Sequence, residues 1–220
     1  MSTRVLVTGT DTGVGKTWIA CALARALTSA GRSVVAIKGV ETGCRDVPSP
    51  TEDGVLLAAA TGQRAPARAL RRFRAPIAPA LACDVEGGLV DLDELAAEIE
   101  SLATQAEVLL LEGAGGLLTP MGWDWSVVDL AQALGATALV VAADRLGAIN
   151  HTLLTLSALD LAGLRVAGIV LSAPAASDES SGGNGPAIAR LSGIDRVRTV
   201  PRVAEPDTTV PWLVEVAGWL

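Results

Sequence analysis

Residues 4–17 read RVLVTGTDTGVGKT, and no other stretch limits the possible folds as much. Arg4–Val7 is a short apolar run rich in β-branched residues, which predicts a strand. A glycine-rich loop follows. Gly-Lys-Thr then opens an Ala- and Leu-rich helical pattern over 15–30, with Gly31 as its stop. A strand feeding a glycine loop that opens a helix is the setting of a phosphate-binding loop. Free backbone N–H groups and the positive helix start face an anion there. Lys16 would reach the terminal phosphates of a nucleotide, and the Thr17 hydroxyl would face a magnesium ion. The spacing departs in one respect: Gly9 and Gly15 enclose five residues, where the common pattern encloses four.

The rest of the chain alternates in the same way. Strands are predicted over 33–38, 108–111, 138–142 and 166–171, with a sixth over 199–201. Helices are predicted over 53–61, 91–105, 126–134, 150–162 and 211–220. This alternation implies right-handed crossovers. The expected fold class is α/β, a mostly parallel sheet flanked by helices, of the P-loop NTPase type. Hydrophobic residues make up 50% of the chain but aromatics only 3%, so the core must be aliphatic, which suits a sheet buried on both faces. No repeat or linker stands out, so a single domain over 1–220 is expected. Residues 172–186 (SAPAASDESSGGNGP) are expected to form a mobile loop, and the polar, proline-containing stretch 45–52 another loop. Five arginines lie within 64–74: Arg64, Arg68, Arg71, Arg72 and Arg74. Their spacing aims them at no single point, so they read as a solvated or salt-bridged segment.

The net charge of −7 argues against a nucleic-acid partner, because phosphate neutralisation needs an excess of Lys and Arg. No apolar run of membrane-spanning length stands uninterrupted. Residues 1–7 pass straight into the strand that feeds the loop, so no signal peptide and a cytoplasmic location are expected. Cys21, Cys44 and Cys83 are widely spaced without a CxxC, and they read as small buried hydrophobes.

Three further motifs follow strands. Lys38–Gly43 (KGVETG) closes the second strand, and in open α/β sheets ligands sit beyond the carboxyl ends of strands. Lys38 is therefore expected near the phosphate loop. Thr42 either bonds a substrate or caps a turn. Glu112–Gly116 (EGAGG) follows the third strand, and Glu112 sits where a P-loop protein keeps a carboxylate for magnesium. Gly113, Ala114 and Gly115 allow close approach of a ligand, a tight turn, or both. Asp53 heads a helix, where its charge suits the dipole, and on chemistry alone Glu52 is an equal candidate for the site. Leu146–His151 (LGAINH) follows the fourth strand. Asn150 reads as an N-cap, the exposed amides suit a carboxylate, and His151 reads as structural.

Taken together, GTDTGVGKT, KGVETG, EGAGG with LLTP, and LGAINHTLLT resemble dethiobiotin synthetase in order and spacing, from about Arg4 to Glu205. P-loop ATPases of the partitioning and septum-site type carry a second lysine early in the loop. Aligned on Gly15, Lys16 and Thr17, this chain has Asp11 there. The resemblance implies an ATP-dependent ligase that forms C–N bonds, with 7,8-diaminononanoate, carbon dioxide and a nucleoside triphosphate as substrates and Mg2+ as cofactor. It implies catalytic roles for Lys16 and Lys38. It places Gly13, Val14, Gly15, Lys16, Thr17 and Trp18 on the phosphates, and Gly113, Ala114 and Gly115 beside the nucleotide. Pro201, Arg202 and Val203 fall on the adenine side, Thr17, Asp53 and Glu112 at the metal, and Thr12 and Thr42 near the diamine or carbamate. Gly147, Ala148, Ile149 and Asn150 match a helix start that meets the substrate carboxylate from a partner subunit, so a homodimer is implied.

The chain also departs from the family pattern. It has Gly39 where Pro is common, Ala80 where His is common, Ser172 where Asn is common, and Pro201-Arg202-Val203 where Pro-Trp-Leu is common. The last two differences imply weakened discrimination among ATP, CTP and GTP. The alternative function on the same fold is a regulatory ATPase of the partitioning or septum type. Asp11, the acidic charge and the lack of a basic surface helix stand against it.

Overall fold

The computed structural model describes residues 2–201, 203–204 and 207–220, so Arg202 of the expected adenine side lies outside the described residues. β1 (Thr3–Gly9) enters the loop of residues 10–15, which opens α1 (Lys16–Ser29). β2 (Val34–Lys38), the short β3 (Val40–Glu41), α2 (Asp53–Thr61) and the short β4 (Arg71–Arg72) follow, then α3 (Pro79–Glu86) and α4 (Leu92–Ala103). The second half runs β5 (Val108–Gly116), α5 (Val127–Ala133), β6 (Thr137–Ala143), α6 (Ala148–Leu161), β7 (Val166–Ser172), α7 (Asn184–Ser192), β8 (Val197–Val200) and α8 (Pro211–Ala217).

Among the described residues, six strands form one sheet in the order β2-β5-β1-β6-β7-β8. Each neighbouring pair is parallel. The side-chain period of two divides the aliphatic runs between the faces. Val5 and Val7 of β1, with Val108 and Leu110 of β5, pack with α1, α2 and α8. Leu6, Leu109 and Leu111 point the other way, onto α4, α5 and α6. Strands covered on both faces need apolar residues at both parities, which is why these runs do not alternate with polar residues. Cys21, Cys44 and Cys83 are all buried, as their spacing suggests.

The structure adds elements that the sequence pattern hides. α3 starts with Pro79 in its first turn, where the missing N–H costs no hydrogen bond, and it ends at Gly87. α7 begins inside the stretch read as a loop. Its buried Asn184 donates to Asp144 Oδ1 at 2.7 Å, and the Gly182 N–H donates to Asp144 Oδ2 at 2.8 Å. The last strand of the sheet is Val197–Val200, two residues earlier at its start than expected and closing before Pro201. The arginine-rich stretch is salt-bridged, with Arg71 on Glu98, Arg72 on Glu52 and Arg74 on Asp46.

Candidate active site

β2, β5 and β1 lie side by side, and their carboxyl ends open on a cleft of ≈ 890 Å³. The phosphate loop forms one wall. Gly15 caps α1 with φ 100, a left-handed conformation that a side chain would strain. Gly9 is needed for closeness instead: a Cβ there would stand 2.8 Å from Val14 Cγ2 and 2.9 Å from the Asp11 carbonyl. Lys16 is buried, and its Nζ donates to the Asp11 carbonyl at 2.9 Å, so the loop wraps its own lysine. Burial, and then the nearby Lys38 ammonium, lower the Lys16 pKa to about 8.

Beside the loop, Lys38 and Glu112 are direct neighbours in the β2–β5 register, and Glu112 also pairs with Val7 of β1. Lys38 Nζ donates to Glu112 Oε1 at 2.7 Å and to the Gly113 carbonyl at 3.1 Å, and it pairs with Asp53 Oδ2 at 2.8 Å. An ammonium has three donors, and these contacts use all three. Burial pushes the Lys38 pKa down, but Glu112 and Asp53 outweigh it and hold the group charged. Asp53 is likewise desolvated, yet Lys38 pulls its pKa below the ordinary value. Glu112 is buried most completely, and burial pushes its pKa up against the pull of Lys38.

Thr17 Oγ1 lies 2.8 Å from Asp53 Oδ1 and 2.9 Å from Glu112 Oε1. A hydroxyl has one proton and can donate to only one of them. Glu112 Oε2 is buried with no hydrogen-bond partner among the described residues. Oxygens thus outnumber protons at this point, and the excess is what a cation would balance. A hydroxyl and two carboxylates are hard oxygen donors, the set that suits Mg2+.

Thr12, Gly13, Gly15, Lys16, Thr17, Trp18, Lys38, Thr42, Asp53, Glu112, Ala114 and Gly115 all line the one cleft. Val14 and Gly113 support it from below. The Val14 side chain is buried and its carbonyl accepts Ser172 Oγ at 2.5 Å, while Gly113 offers its carbonyl to Lys38. Pro201 and Val203 are not among the lining residues. Gly147, Ala148, Ile149 and Asn150 are also absent from that lining; Ala148 borders a separate small hollow beside Asp11 and His151. The N-cap of α6 is Gly147, with φ 93, so Asn150 stands exposed in the first turn and is not the cap. Glycine serves there because the chain turns through the left-handed region before the helix starts.

Of the adjacent acids, Asp53 faces Lys38 and Thr17, whereas Glu52 forms an ion pair with Arg72 at 2.8 Å. Glu41 was not singled out from the sequence. It is buried and takes the first amides of α2, next to Asp53. Its place in KGVETG is the one sequence hint, and nothing in the spacing shows which helix it would meet.

A family model described as an AAA domain covers residues 3–209. ATP-dependent dethiobiotin synthetase BioD of Anaeromyxobacter dehalogenans strain 2CP-1 is 41% identical, over 97% of this chain and 92% of that protein. The synthetase of Aquifex aeolicus strain VF5 is also 41% identical, over 92% of this chain and 90% of its own. Among solved structures, the septum site-determining protein MinD of Pyrococcus horikoshii OT3 superposes with a TM-score of 0.59 at 20% identity, covering 99% of this chain and 95% of that one. A ParA family ATPase from Chlorobium tepidum TLS gives 0.59 at 12% identity, covering 99% and 97%. At such identities the likeness extends to the P-loop fold alone. Sequence identity along nearly the whole chain decides the family: the chain belongs to the dethiobiotin synthetases.

Proposed function

We propose that this chain closes a cyclic urea on 7,8-diaminononanoate, consuming carbon dioxide and ATP and releasing dethiobiotin, ADP and phosphate in the cytoplasm. The observation that carries the reading is the convergence of Lys38, Asp53 and Glu112 on Thr17, at the end of the phosphate loop.

The chemistry runs in three steps. One amine adds to carbon dioxide, forming a carbamate and releasing a proton. A carbamate oxygen attacks the γ-phosphorus and ADP leaves, giving a carbamic–phosphoric anhydride. The second amine attacks the carbonyl carbon and loses its proton, the five-membered ring closes, and phosphate leaves. The difficult approach is carbamate to triphosphate, because both are anions. Two unit charges 4 Å apart repel by about 4 kcal/mol at the effective dielectric of a protein surface. Lys16 and the loop amides would face the phosphates, and Lys38 shares Glu112 Oε1 with Thr17 beside them, so both cations are in place before the charges meet. Held at Thr17, Asp53 and Glu112, Mg2+ would supply further neutralisation of the transferred phosphoryl group. Thr12 and Thr42 line the cleft and would orient the diamine. Ring closure then needs little beyond positioning, because both amines belong to one molecule. ADP release that requires diamine and bicarbonate together tests the reading. Equal ADP release without the diamine would refute it.

A homodimer completes the site in this reading. Gly147–Asn150 does not line its own chain's cleft, so a substrate carboxylate would meet the α6 start of a second copy. The surface nearby supports this, since Leu118, Leu146 and Leu154 are 65%, 81% and 61% exposed. Sedimentation equilibrium is expected to return the mass of two chains, and a monomer at micromolar concentration would refute the shared site.

Base selection is expected to be weak. Ser172 gives its hydroxyl proton to the Val14 carbonyl, so it ties the end of β7 to the phosphate loop and has no proton left to offer a base. The values of kcat/KM for ATP, CTP and GTP should therefore lie closer together than in a relative with Asn at this position. Turnover with ATP, and rejection of the other two by orders of magnitude, would contradict this.

A further inference from the structure

We propose that Glu41 is a positioning residue, which sets Asp53 for cation binding by capping α2 from a different element. The inference rests on the reading of Asp53 as a metal-site carboxylate.

The first four N–H groups of a helix lack partners within it, and the residue at the N-cap position usually supplies one. In α2 that residue is Glu52, and it makes no side-chain cap. Its carboxylate turns away to the N–H groups of Arg45 and Ser49 and to the Arg72 guanidinium. Glu41 takes over the cap from β3. Its Oε1 accepts the Asp53 N–H at 2.6 Å and its Oε2 accepts the Gly54 N–H at 3.0 Å. Both oxygens are used, on a side chain that is only 7% exposed. A bidentate carboxylate on the positive helix start holds the backbone of Asp53 in place. The Asp53 side chain then reaches Thr17 and Lys38 from a fixed origin.

The position of Glu41 is itself determined. β3 pairs Glu41 with Arg72 of β4, and the Phe73 N–H donates to the Glu41 carbonyl at 2.9 Å. The next residue, Thr42, lines the cleft. Glu41 therefore joins the segment that carries Thr42 to the helix that carries Asp53. Cys44, Glu41 and Glu52 bring ligand-type atoms within 4.8 Å of one another. Both carboxylates are already engaged by amides or by arginine, so the cluster reads as scaffold for the cleft and not as a second metal site.

Outer partners that orient a ligand carboxylate affect metal affinity by about 10–100-fold. The test is titration of metal-free protein with Mn2+, read by the EPR signal of the free ion, beside ADP affinity in EDTA and thermal unfolding. Glu41→Gln removes one acceptor and turns an NH2 toward the amides. It should weaken Mn2+ at least 10-fold while ADP affinity in EDTA stays within about twofold of wild type. Glu41→Asp keeps the charge on a shorter arm, and it should also weaken Mn2+; if the Gln variant does not fold, the Asp variant is read by the same criteria. Wild-type Mn2+ affinity in either variant overturns the inference, and so does a parallel loss of ADP affinity, which would mark a general loosening. Asp53→Asn separates the two readings. Weak Mn2+ binding there, with Glu41→Gln unaffected, overturns the role of Glu41 alone. Full binding in Asp53→Asn overturns the metal reading and this inference with it.

Discussion

Lys38→Ala is expected to reduce kcat/KM with the diamine by about 10²–10³-fold, the usual cost of removing one preorganised charge donor from a reacting centre. Its effect on the metal-free protein should be as clear. Lys38 is the cation between a fully buried Glu112 and a two-thirds buried Asp53. Removing one partner of a buried pair leaves the other uncompensated, at about 3–5 kcal/mol. For a domain of this size that corresponds to a melting temperature lower by roughly 6–20 °C. The lower end is the better expectation, because Asp53 keeps some access to water.

The pH dependence of this loss has a definite sign. Burial already raises the Glu112 pKa, and the variant lacks the ammonium that opposes the rise. The folded variant then binds a proton at a higher pH than the unfolded chain does. Its stability falls as pH rises from the unfolded value to the folded one. The gap between wild type and variant should therefore narrow as pH is lowered, and adding Mg2+ should narrow it at fixed pH. Thermal melts in EDTA and in Mg2+ over a pH series measure both. A variant with wild-type stability in EDTA and full turnover would contradict the arrangement of charges described above.

Gly54→Ala is expected to be the most damaging single-methyl change near the site. A Cβ at Gly54 would stand 2.1 Å from the Ala69 backbone nitrogen, 2.7 Å from the Arg68 carbonyl carbon and 2.9 Å from Ala69 Cα. These are backbone atoms, so no rotamer change relieves the clash, and α2 or the 68–69 segment must move. Overpacking that shifts backbone costs typically 1–3 kcal/mol or more, and the upper end applies here. The melting temperature should drop by roughly 6–12 °C. Gly54 follows Asp53 and gives its N–H to Glu41, so the same movement should also weaken metal binding. Gly62→Ala is a useful contrast. Gly62 has open space where a Cβ would stand, and its φ of 71 adds only local backbone strain beyond the C-terminal end of α2. A Gly54→Ala protein that melts with the wild type and binds Mn2+ normally would show that α2 is not held against residues 68–69 as described.

The parts of this molecule that were legible in its sequence are those set by local pattern. The phosphate loop needs a strand, glycines and a helix start in immediate succession, and all of them lie within residues 4–17. Lys38 ends β2, and Glu112 closes the apolar run of β5, although the strand itself runs on through EGAGG to Gly116, so their place toward the carboxyl edge follows once the sheet is parallel. What remained ambiguous depends on the path of the chain between elements. Glu52 and Asp53 are adjacent acids, and the direction each takes is decided by Arg72 and Lys38, partners 20 and 15 residues away along the chain. Glu41 reaches α2 only because residues 42–52 loop back, which no periodicity records. The α6 start was misread because Asn150 is a good capping type, while the turn actually needed the left-handed freedom of Gly147. α3 has no side-chain cap and only eight residues, with Pro79 in its first turn, so little in its local pattern marks it as a helix.

The most direct test of the proposed activity is incubation of the purified protein with diaminononanoate, labelled bicarbonate, Mg2+ and ATP, followed by acid. Carbon dioxide and carbamates are lost in acid, whereas a urea ring keeps its carbon. The account predicts acid-stable label that requires both the diamine and the nucleotide. No acid-stable label with ATP, CTP or GTP, from protein shown to bind nucleotide, would contradict it.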